Sequence, residues 1–311
     1  MSLHAQLARL DSARELAGFQ TEPAQMRAAG PGKVGELRLG FSLREGRSIL
    51  DDLYRVAPLL VQQALYWDEA MPELPIVSVI SVGGGILQGD RYRIAITVGE
   101  GACAHVTSQS ANRIHWMDAN YASQFQEVRA GPGSYLEYLP HVTIPYRNSR
   151  FINETEIVAD ETATVLYSEM VMTGRKHHQA SERFGFDLLS MRVRASRPGG
   201  KVVFEEKLLV EKGNETLDLA AVARGYDAFA NVLCLTPAAT AARIDERMAI
   251  NAAPDHPRAM SGVSRLPNSA GLMFRAVGVE SYDVRAEVRR FWKVVREEAR
   301  GRTLASEFLW Q

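Results

Sequence analysis

The sequence predicts a mainly β protein with a few α-helices, including an amphipathic helix near its C-terminal end. Residues 91–98 alternate polar and apolar side chains, which is the period of a strand with one buried face. Short apolar runs separated by turn residues recur as far as residue 210, without the regular intervening helices of an α/β protein. Residues 281–300 instead carry apolar side chains at helical spacing, which indicates an amphipathic helix.

The chain divides into an N-terminal extension and one larger domain. Residues 2–18 have helical composition and 21–33 are typical of a linker, so we assign 1–33 to an extension that could be poorly ordered. Residues 34–311 then form a single β-rich domain. Its predicted strands are 34–41, 91–98, 136–145, 163–172, 186–195 and 202–210.

Two helices are predicted in the last third of the chain. Residues 238–250 have helical composition, and 281–300 form the amphipathic helix. Ser281 and Asp283 are candidates for its N-terminal cap, and Gly301 follows its end. We expect its apolar face to pack on the core of the protein, although a partner protein would also satisfy the pattern. This face comprises Val284, Val288, Phe291 and Val295.

Three segments form a weak internal repeat, 99–108, 131–140 and 160–169. In each, a turn is followed by a small residue and then by a predicted strand, and the segments start 32 and 29 residues apart. Repeats of this length indicate stacked layers that share one continuous core. Three ordinary hairpins would produce the same pattern, so both arrangements remain open.

The charge balance and the cysteine content exclude several classes of protein. The formal net charge of the 311 residues is −1, so we expect no electrostatic attraction to nucleic acid or to an anionic membrane. No apolar run is long enough to cross a bilayer, and the first residues lack the apolar region of a secretory signal. Two distant cysteines do not form a disulfide framework. We therefore expect a cytoplasmic protein.

The glycine-rich segment GGGILQGDRY, residues 83–92, does not have the pattern of a phosphate-binding loop. Its glycine spacing differs from the dinucleotide fingerprint, and it precedes a predicted strand where that fingerprint requires a helix. Asp90 and Arg91 stand where a nucleotide-binding loop needs lysine and serine or threonine. We expect a tight turn whose glycines adopt positive φ angles.

Metal-binding and nucleophilic motifs are weak. Cys103 and His105 lie on one face of a predicted strand, but no pair of residues has the spacing of a closed zinc site. A buried cysteine and a hydrogen-bonded histidine explain this pair better than metal ligation does. The chain also lacks the G-x-S-x-G motif of a nucleophilic serine.

Four carboxylates lie within predicted strands or at their ends, among residues that look buried: Asp90, Glu137, Glu169 and Glu206. A buried carboxylate is costly unless it is paired or binds a cation. For Glu137 we expect a solvent-facing position or an internal ion pair. Arg91, Arg113 and Arg175 are the candidate partners.

The other three carboxylates, Asp90, Glu169 and Glu206, could line a negatively charged passage that attracts a divalent cation. The residues by themselves leave two functional classes open. One is a scaffold or chaperone subunit, and the other is a hydrolase that uses a carboxylate pair on a β-rich fold.

An ordered set of motifs resembles the UreD (UreH) family of urease accessory proteins, from about residue 34 to the C-terminus. The single motifs are moderately specific, whereas their order along the chain is much more so. They are GGGILQGDRY (83–92), SQSANRIHWM (108–117), LEYLPHVTIPYRNSRF (136–151), SEMVMTGR (168–175), FEEKLLV (204–210) and GVSRLPNSAGLMFRAVG (262–278).

This resemblance implies layered, β-helix-like sheets with a few α-helices, and a protein that is not an enzyme. It implies that the chain forms a complex with UreF-like and UreG-like accessory proteins, docks on apo-urease and helps to insert nickel into its active site. The resemblance also implies an internal passage for nickel, with no tightly bound cofactor or metal and only transient nickel.

The resemblance assigns roles to six residues. Asp90, Glu169 and Glu206 occupy acidic positions of the family and would line the nickel passage. Asn112, Arg113 and Arg175 would support it as polar or basic residues. The segment KHHQASER, 176–183, departs from the family pattern, so its histidines receive no ligand role.

Overall fold

The computed structural model describes residues 3–21, 33–212, 225–250 and 257–305. Most of the predicted linker, 21–33, lies outside these ranges. The described strands are β1 (Val34–Arg44), β2 (Arg47–Val56), β3 (Leu59–Leu60), β4 (Ile76–Ser81), β5 (Arg91–Val98), β6 (Cys103–Ser108), β7 (Asn112–Ile114), β8 (Ala122–Ala130), β9 (Tyr135–Tyr138), β10 (Thr143–Pro145), β11 (Arg150–Ala159), β12 (Thr164–Met172), β13 (Leu188–Ser196), β14 (Val202–Glu211), β15 (Ala228–Leu235), β16 (Ala259–Arg265) and β17 (Gly271–Gly278).

The described α-helices are α1 (Leu3–Asp11), α2 (Ala238–Ile250) and α3 (Ser281–Arg300). Short 3-10 helices cover Arg14–Phe19, Ala180–Glu182 and Pro267–Ser269. No helix in the described ranges is long and apolar enough to cross a membrane.

The strands form two mixed sheets that enclose the main apolar core. The first sheet has seven strands in the order β14, β13, β11, β8, β5, β1 and β2. The second sheet has ten strands. Eight of them are neighbours in the order β16, β17, β15, β12, β9, β6, β4 and β3, while β10 pairs with β12 and β7 pairs with β10. The mainly β, layered fold predicted from the sequence is confirmed.

The internal repeat corresponds to stacked layers and not to hairpins. β6, β9 and β12 are parallel neighbours, with Cys103 beside Tyr135 and Tyr135 beside Thr164. In the opposite sheet β5, β8 and β11 are parallel neighbours too. Each repeat thus adds one strand to each sheet, and the turn that joins the two strands stacks on the turn before it. The alternative of three hairpins was wrong.

Period-two alternation sets which side chains enter this core. Tyr92, Ile94, Ile96 and Val98 of β5 are all buried, as their spacing predicted. Strands β1, β8, β11 and β12 contribute further buried side chains to the same core. A second core lies between the ten-stranded sheet and helices α2 and α3.

Helix α3 packs on the ten-stranded sheet through the predicted apolar face. Val284, Val288, Phe291 and Val295 are each at most 1% exposed. The helix begins with a capping box between Glu280 and Asp283, in which the Asp283 carboxylate accepts the Glu280 N–H at 2.8 Å. It ends at Gly301, whose φ is 63°. Of the two predicted caps, Asp283 takes part, whereas Ser281 is the first helical residue.

Glu137 forms the internal ion pair that was expected, but with a different partner. Its carboxylate lies 2.7 Å from the guanidinium of Arg296 on α3, and both side chains are fully buried. Of the arginines considered from the sequence, Arg91 pairs instead with Asp11 and Arg175 with Glu182. The Glu137–Arg296 pair joins strand β9 to a helix that lies 159 residues further along the chain.

The first described residues cover the outer face of the seven-stranded sheet. Leu10 and Leu16 are fully buried and pack with Phe125 and Ile152 of that sheet. Arg9 adds ion pairs to two carboxylates of β11 at 2.6 and 2.8 Å. Part of the segment assigned to the extension therefore contributes a small apolar cluster of its own.

Candidate functional site

A cavity of about 150 Å³ lies between the two sheets. Amide, hydroxyl and carboxyl groups project into it from inward-facing positions of β8, β9, β11 and β12. Because these positions would normally carry apolar core residues, the polar side chains there need partners or a ligand. They include Gln124, Gln126, Tyr138, Asn153, Tyr167 and Glu169.

The polar side chains on the inner wall bond to one another. Gln126 Nε2 donates to Thr155 Oγ1 at 2.9 Å, and Tyr138 donates to the Gln126 side-chain oxygen. Thr155 and Tyr167 hydroxyls lie 2.9 Å apart. Burial and the charge of Glu169 raise the pKa of both tyrosines well above the ordinary value, so they stay neutral. This wall therefore presents neutral hydrogen-bonding groups.

Among the described residues that line this cavity, Glu169 is the one carboxylate. Its Oε1 accepts hydrogen bonds from Tyr167 Oη at 2.9 Å and from Asn153 Nδ2 at 3.2 Å. Burial raises the pKa of Glu169 to about 7, with a further upward contribution from the charge of Glu206, while the two hydrogen bonds act in the opposite direction. Near neutral pH both protonation states are therefore populated.

Glu169 also belongs to the wall of a second, smaller cavity of about 20 Å³. Glu206 of β14 and Asn231 of β15 line this cavity together with apolar side chains. The structure thus brings Glu169 and Glu206 to the same cavity. Glu206 is held by Arg275 of β17, with 2.6 Å between Oε2 and Nη2.

Asp90 lies apart from these two carboxylates. It is buried behind the cavity wall, where Oδ1 accepts the backbone N–H of Lys33 at 3.0 Å. Oδ2 accepts the N–H of Leu87 at 2.8 Å and the Tyr92 hydroxyl at 2.7 Å. Three donors therefore satisfy the carboxylate, and Tyr92 separates it from the cavity.

The glycine loop before Asp90 is the tight turn that was expected. Gly84, Gly85 and Gly89 have φ angles of 74°, 145° and 79°. A Cβ atom on Gly85 would lie 2.5 Å from the carbonyl oxygen of Arg113, so only glycine allows the loop to approach β7. Asp90 fixes the end of this loop through the Leu87 N–H.

We expect Asp90→Asn to lower the free energy of unfolding by about 1–3 kcal/mol, because an amide nitrogen cannot accept the bonds that the carboxylate accepts. Urea unfolding of the purified variant measures this loss. The control is Asp118→Asn, which should unfold like the wild type, because Asp118 is exposed and only its backbone N–H contacts the loop, at the Gln88 side chain. Unchanged stability of Asp90→Asn would show that the carboxylate does not hold the loop.

The predicted supporting residues separate into two places. Asn112 and Arg113 line the larger cavity near the glycine loop. Arg175 lies elsewhere, where its guanidinium pairs with Glu182 at 2.6 Å and lies 3.9 Å from the centre of the Tyr146 ring. In the segment 176–183, the exposed His177 pairs with Glu280 at the start of α3.

The sequence analysis missed the neutral members of the site and Arg275. Gln126, Asn153 and Asn231 occupy inward positions on strands whose inward faces also carry apolar core residues. That alternation is a usable signal, since a polar side chain at an inward position requires a partner. It would have selected the strand positions without identifying the contacts between them.

The two carboxylates of this site are the groups available to contact a cation. In the part of the chain that the structure describes, no group of three or more His, Cys, Asp or Glu side chains is placed to hold a metal ion. Two carboxylates with neutral amides and hydroxyls suit a hard or borderline divalent cation that exchanges its ligands.

Comparison with known proteins gives consistent matches along the chain. A family model described as UreD urease accessory protein matches residues 33–311. Urease accessory protein UreD 3 of Methylorubrum populi is 70% identical over 311 residues, which is 100% of both chains. Urease accessory protein UreD 2 of Methylorubrum extorquens is 68% identical over the same span. Urease accessory protein UreD of Yersinia enterocolitica is 51% identical over 310 residues, with 96% of this chain and 94% of the relative covered.

Proposed function

The chain belongs to the UreD family of urease accessory proteins, and from this premise we propose that it is a non-enzymatic subunit of the apparatus that inserts nickel into urease. In this role it binds UreF-like and UreG-like proteins in the cytoplasm and docks on apo-urease. Nickel is its transient cargo and not a resident cofactor.

We further propose that nickel passes through the two cavities. The observation that carries this proposal is the position of Glu169 in the walls of both. A cation leaving the larger cavity would meet the Glu169 carboxylate and then that of Glu206. Two carboxylates without a closed ligand set favour transfer, since a complete cage would retain the metal.

The size of the small cavity favours cation transfer as its function over the carboxylate-pair hydrolysis considered from the sequence. Its volume of about 20 Å³ suits a water molecule or a small ion, whereas a sugar ring needs far more space. Glu206 is moreover paired with Arg275, which does not favour its use as a catalytic nucleophile or base.

Deletion of the gene should leave urease synthesised but inactive and poor in nickel. Urease purified from the deletion strain is assayed for activity and for metal content. Full nickel content in that urease would overturn the proposed function.

Expression of the Glu206→Gln variant in the deletion strain tests whether nickel passes through the two cavities. We expect urease activation to fall about tenfold, the change produced by losing about 1.4 kcal/mol of cation stabilisation. The control is Glu205→Gln, because Glu205 lies next in sequence but is exposed on the other face of β14 and pairs with Arg192. Both variants should still co-purify with the accessory proteins. Equal activation by the two variants would contradict the passage.

A further inference from the structure

Three polar side chains form a row across the ten-stranded sheet. Glu169 of β12 is the register partner of Asn231 of β15, and Asn231 is the partner of Arg275 of β17. Side chains that are directly opposite on adjacent strands lie on the same face of a sheet. Glu169 and Asn231 line the small cavity, so the stem of Arg275 starts from that same face, at the outer end of the row.

From this position Arg275 reaches the opposite sheet. Its Nη2 lies 2.6 Å from Oε2 of Glu206, which faces inward from β14. Glu206 therefore has its negative charge neutralised by a side chain of the facing sheet. A guanidinium does not lose its proton in proteins, so a change of pH in the physiological range does not remove this cation.

The contact is nevertheless easy to open. The Arg275 side chain is 57% exposed and that of Glu206 is 31% exposed. An ion pair in contact with water contributes little to stability, because the solvent screens the attraction and hydrates both groups after separation. An arginine with this exposure can turn away from Glu206 without leaving a buried charge behind.

We propose that Arg275 is a displaceable counter-ion that closes the outer end of the nickel passage. When no metal is present the guanidinium occupies the Glu206 carboxylate. When nickel arrives beside Glu169, the divalent cation competes for the same carboxylate and Arg275 moves into solvent. The identity of nickel as the cargo rests on the proposed function, whereas the competition between Arg275 and a divalent cation does not.

The test is calorimetric titration of the purified full-length protein with nickel chloride. Arg275→Met should bind nickel about tenfold more tightly than the wild type, because the internal competitor is gone. The double variant Glu206→Gln/Arg275→Met should lose this gain in nickel affinity, since the carboxylate that pairs with Arg275 is absent. Arg275→Lys keeps the positive charge and should remain close to the wild type.

Arg265→Met is the matched control, because Arg265 is an exposed arginine of β16 paired with Asp245 at 2.7 Å. It should leave nickel affinity unchanged. The inference is overturned if Arg275→Met binds nickel no more tightly than the wild type, or if a gain persists without Glu206. These titrations contain no urease, so their outcome is independent of the deletion phenotype that tests the proposed function.

Discussion

Arg296→Met is expected to lower the free energy of unfolding by about 3–5 kcal/mol, since it leaves buried carboxylates without their cation. Arg296 is fully buried on α3 and donates from Nε and Nη2 to the two oxygens of Glu137, each at 2.7 Å. Its Nη1 also contacts Asp68, which is fully buried too. Equilibrium urea unfolding measures the loss. Tryptophan fluorescence is a suitable signal, because Trp292 stacks on His105 beside this cluster with 5.2 Å between ring centres.

The reason for the large effect is the environment of Glu137. Burial by itself would raise its pKa, but Arg296 and the hydrogen bond from His105 Nδ1 hold the pKa well below the ordinary value. Tyr135 donates a further hydrogen bond at 2.7 Å. Without Arg296 the carboxylate must either stay charged in an apolar site or take up a proton, and both alternatives cost free energy.

An exposed ion pair supplies the control for this prediction. Arg243 pairs with Glu298 at 2.9 Å, and its side chain is 51% exposed. Arg243→Met should therefore change the stability by less than about 1 kcal/mol. Glu137→Gln/Arg296→Met should cost less than the sum of the single changes, because each single change leaves a partner unpaired. Strict additivity, or equal losses in Arg296→Met and Arg243→Met, would contradict the role of the buried cluster.

Glu169→Gln is expected to gain stability over the wild type as the pH rises, up to an upper limit of about 3 kcal/mol above pH 7. The pKa of Glu169 is about 7 in the folded protein against 4.5 for an ordinary glutamate. The folded state therefore holds this proton more tightly than the unfolded chain. The favourable contribution of the protonated group is complete below about pH 4.5 and is lost as the pH rises through about 7.

Unfolding curves of wild type and Glu169→Gln at pH 5 and pH 8 measure this linkage. Two further variants test its cause. Glu206→Gln should move the pH at which the protein loses this stability to a lower value, because the charge of Glu206 contributes to the raised pKa of Glu169. Glu205→Gln should show no such gain at high pH, since its hydrogen bond with Arg192 lowers the pKa of Glu205. A pH-independent difference between wild type and Glu169→Gln would show that Glu169 does not titrate near neutrality.

Local patterns in the sequence predicted the class of the fold and the inward or outward direction of most strand residues. Alternation selected the buried face of β5, and the spacing of the repeat anticipated stacked strands. It also pointed to Glu169 and Glu206, because the neighbouring residues on the same face of each strand are large side chains that pack in or against the main core. The alternation is a local feature, since it depends on a period of two residues within one segment.

Contacts between residues that are distant in the chain became known only from the folded structure. It placed the Asp90 carboxylate on the backbone N–H of Lys33, paired Glu137 with Arg296, and placed Arg275 on Glu206. The two residues in these pairs are 57, 159 and 69 positions apart. Periodicity predicts the face of the sheet on which a side chain lies. The residues that it contacts depend on the order of the strands in each sheet and on how the two sheets pack against each other. Those relations depend on the packing of the whole chain, so no local pattern contains them.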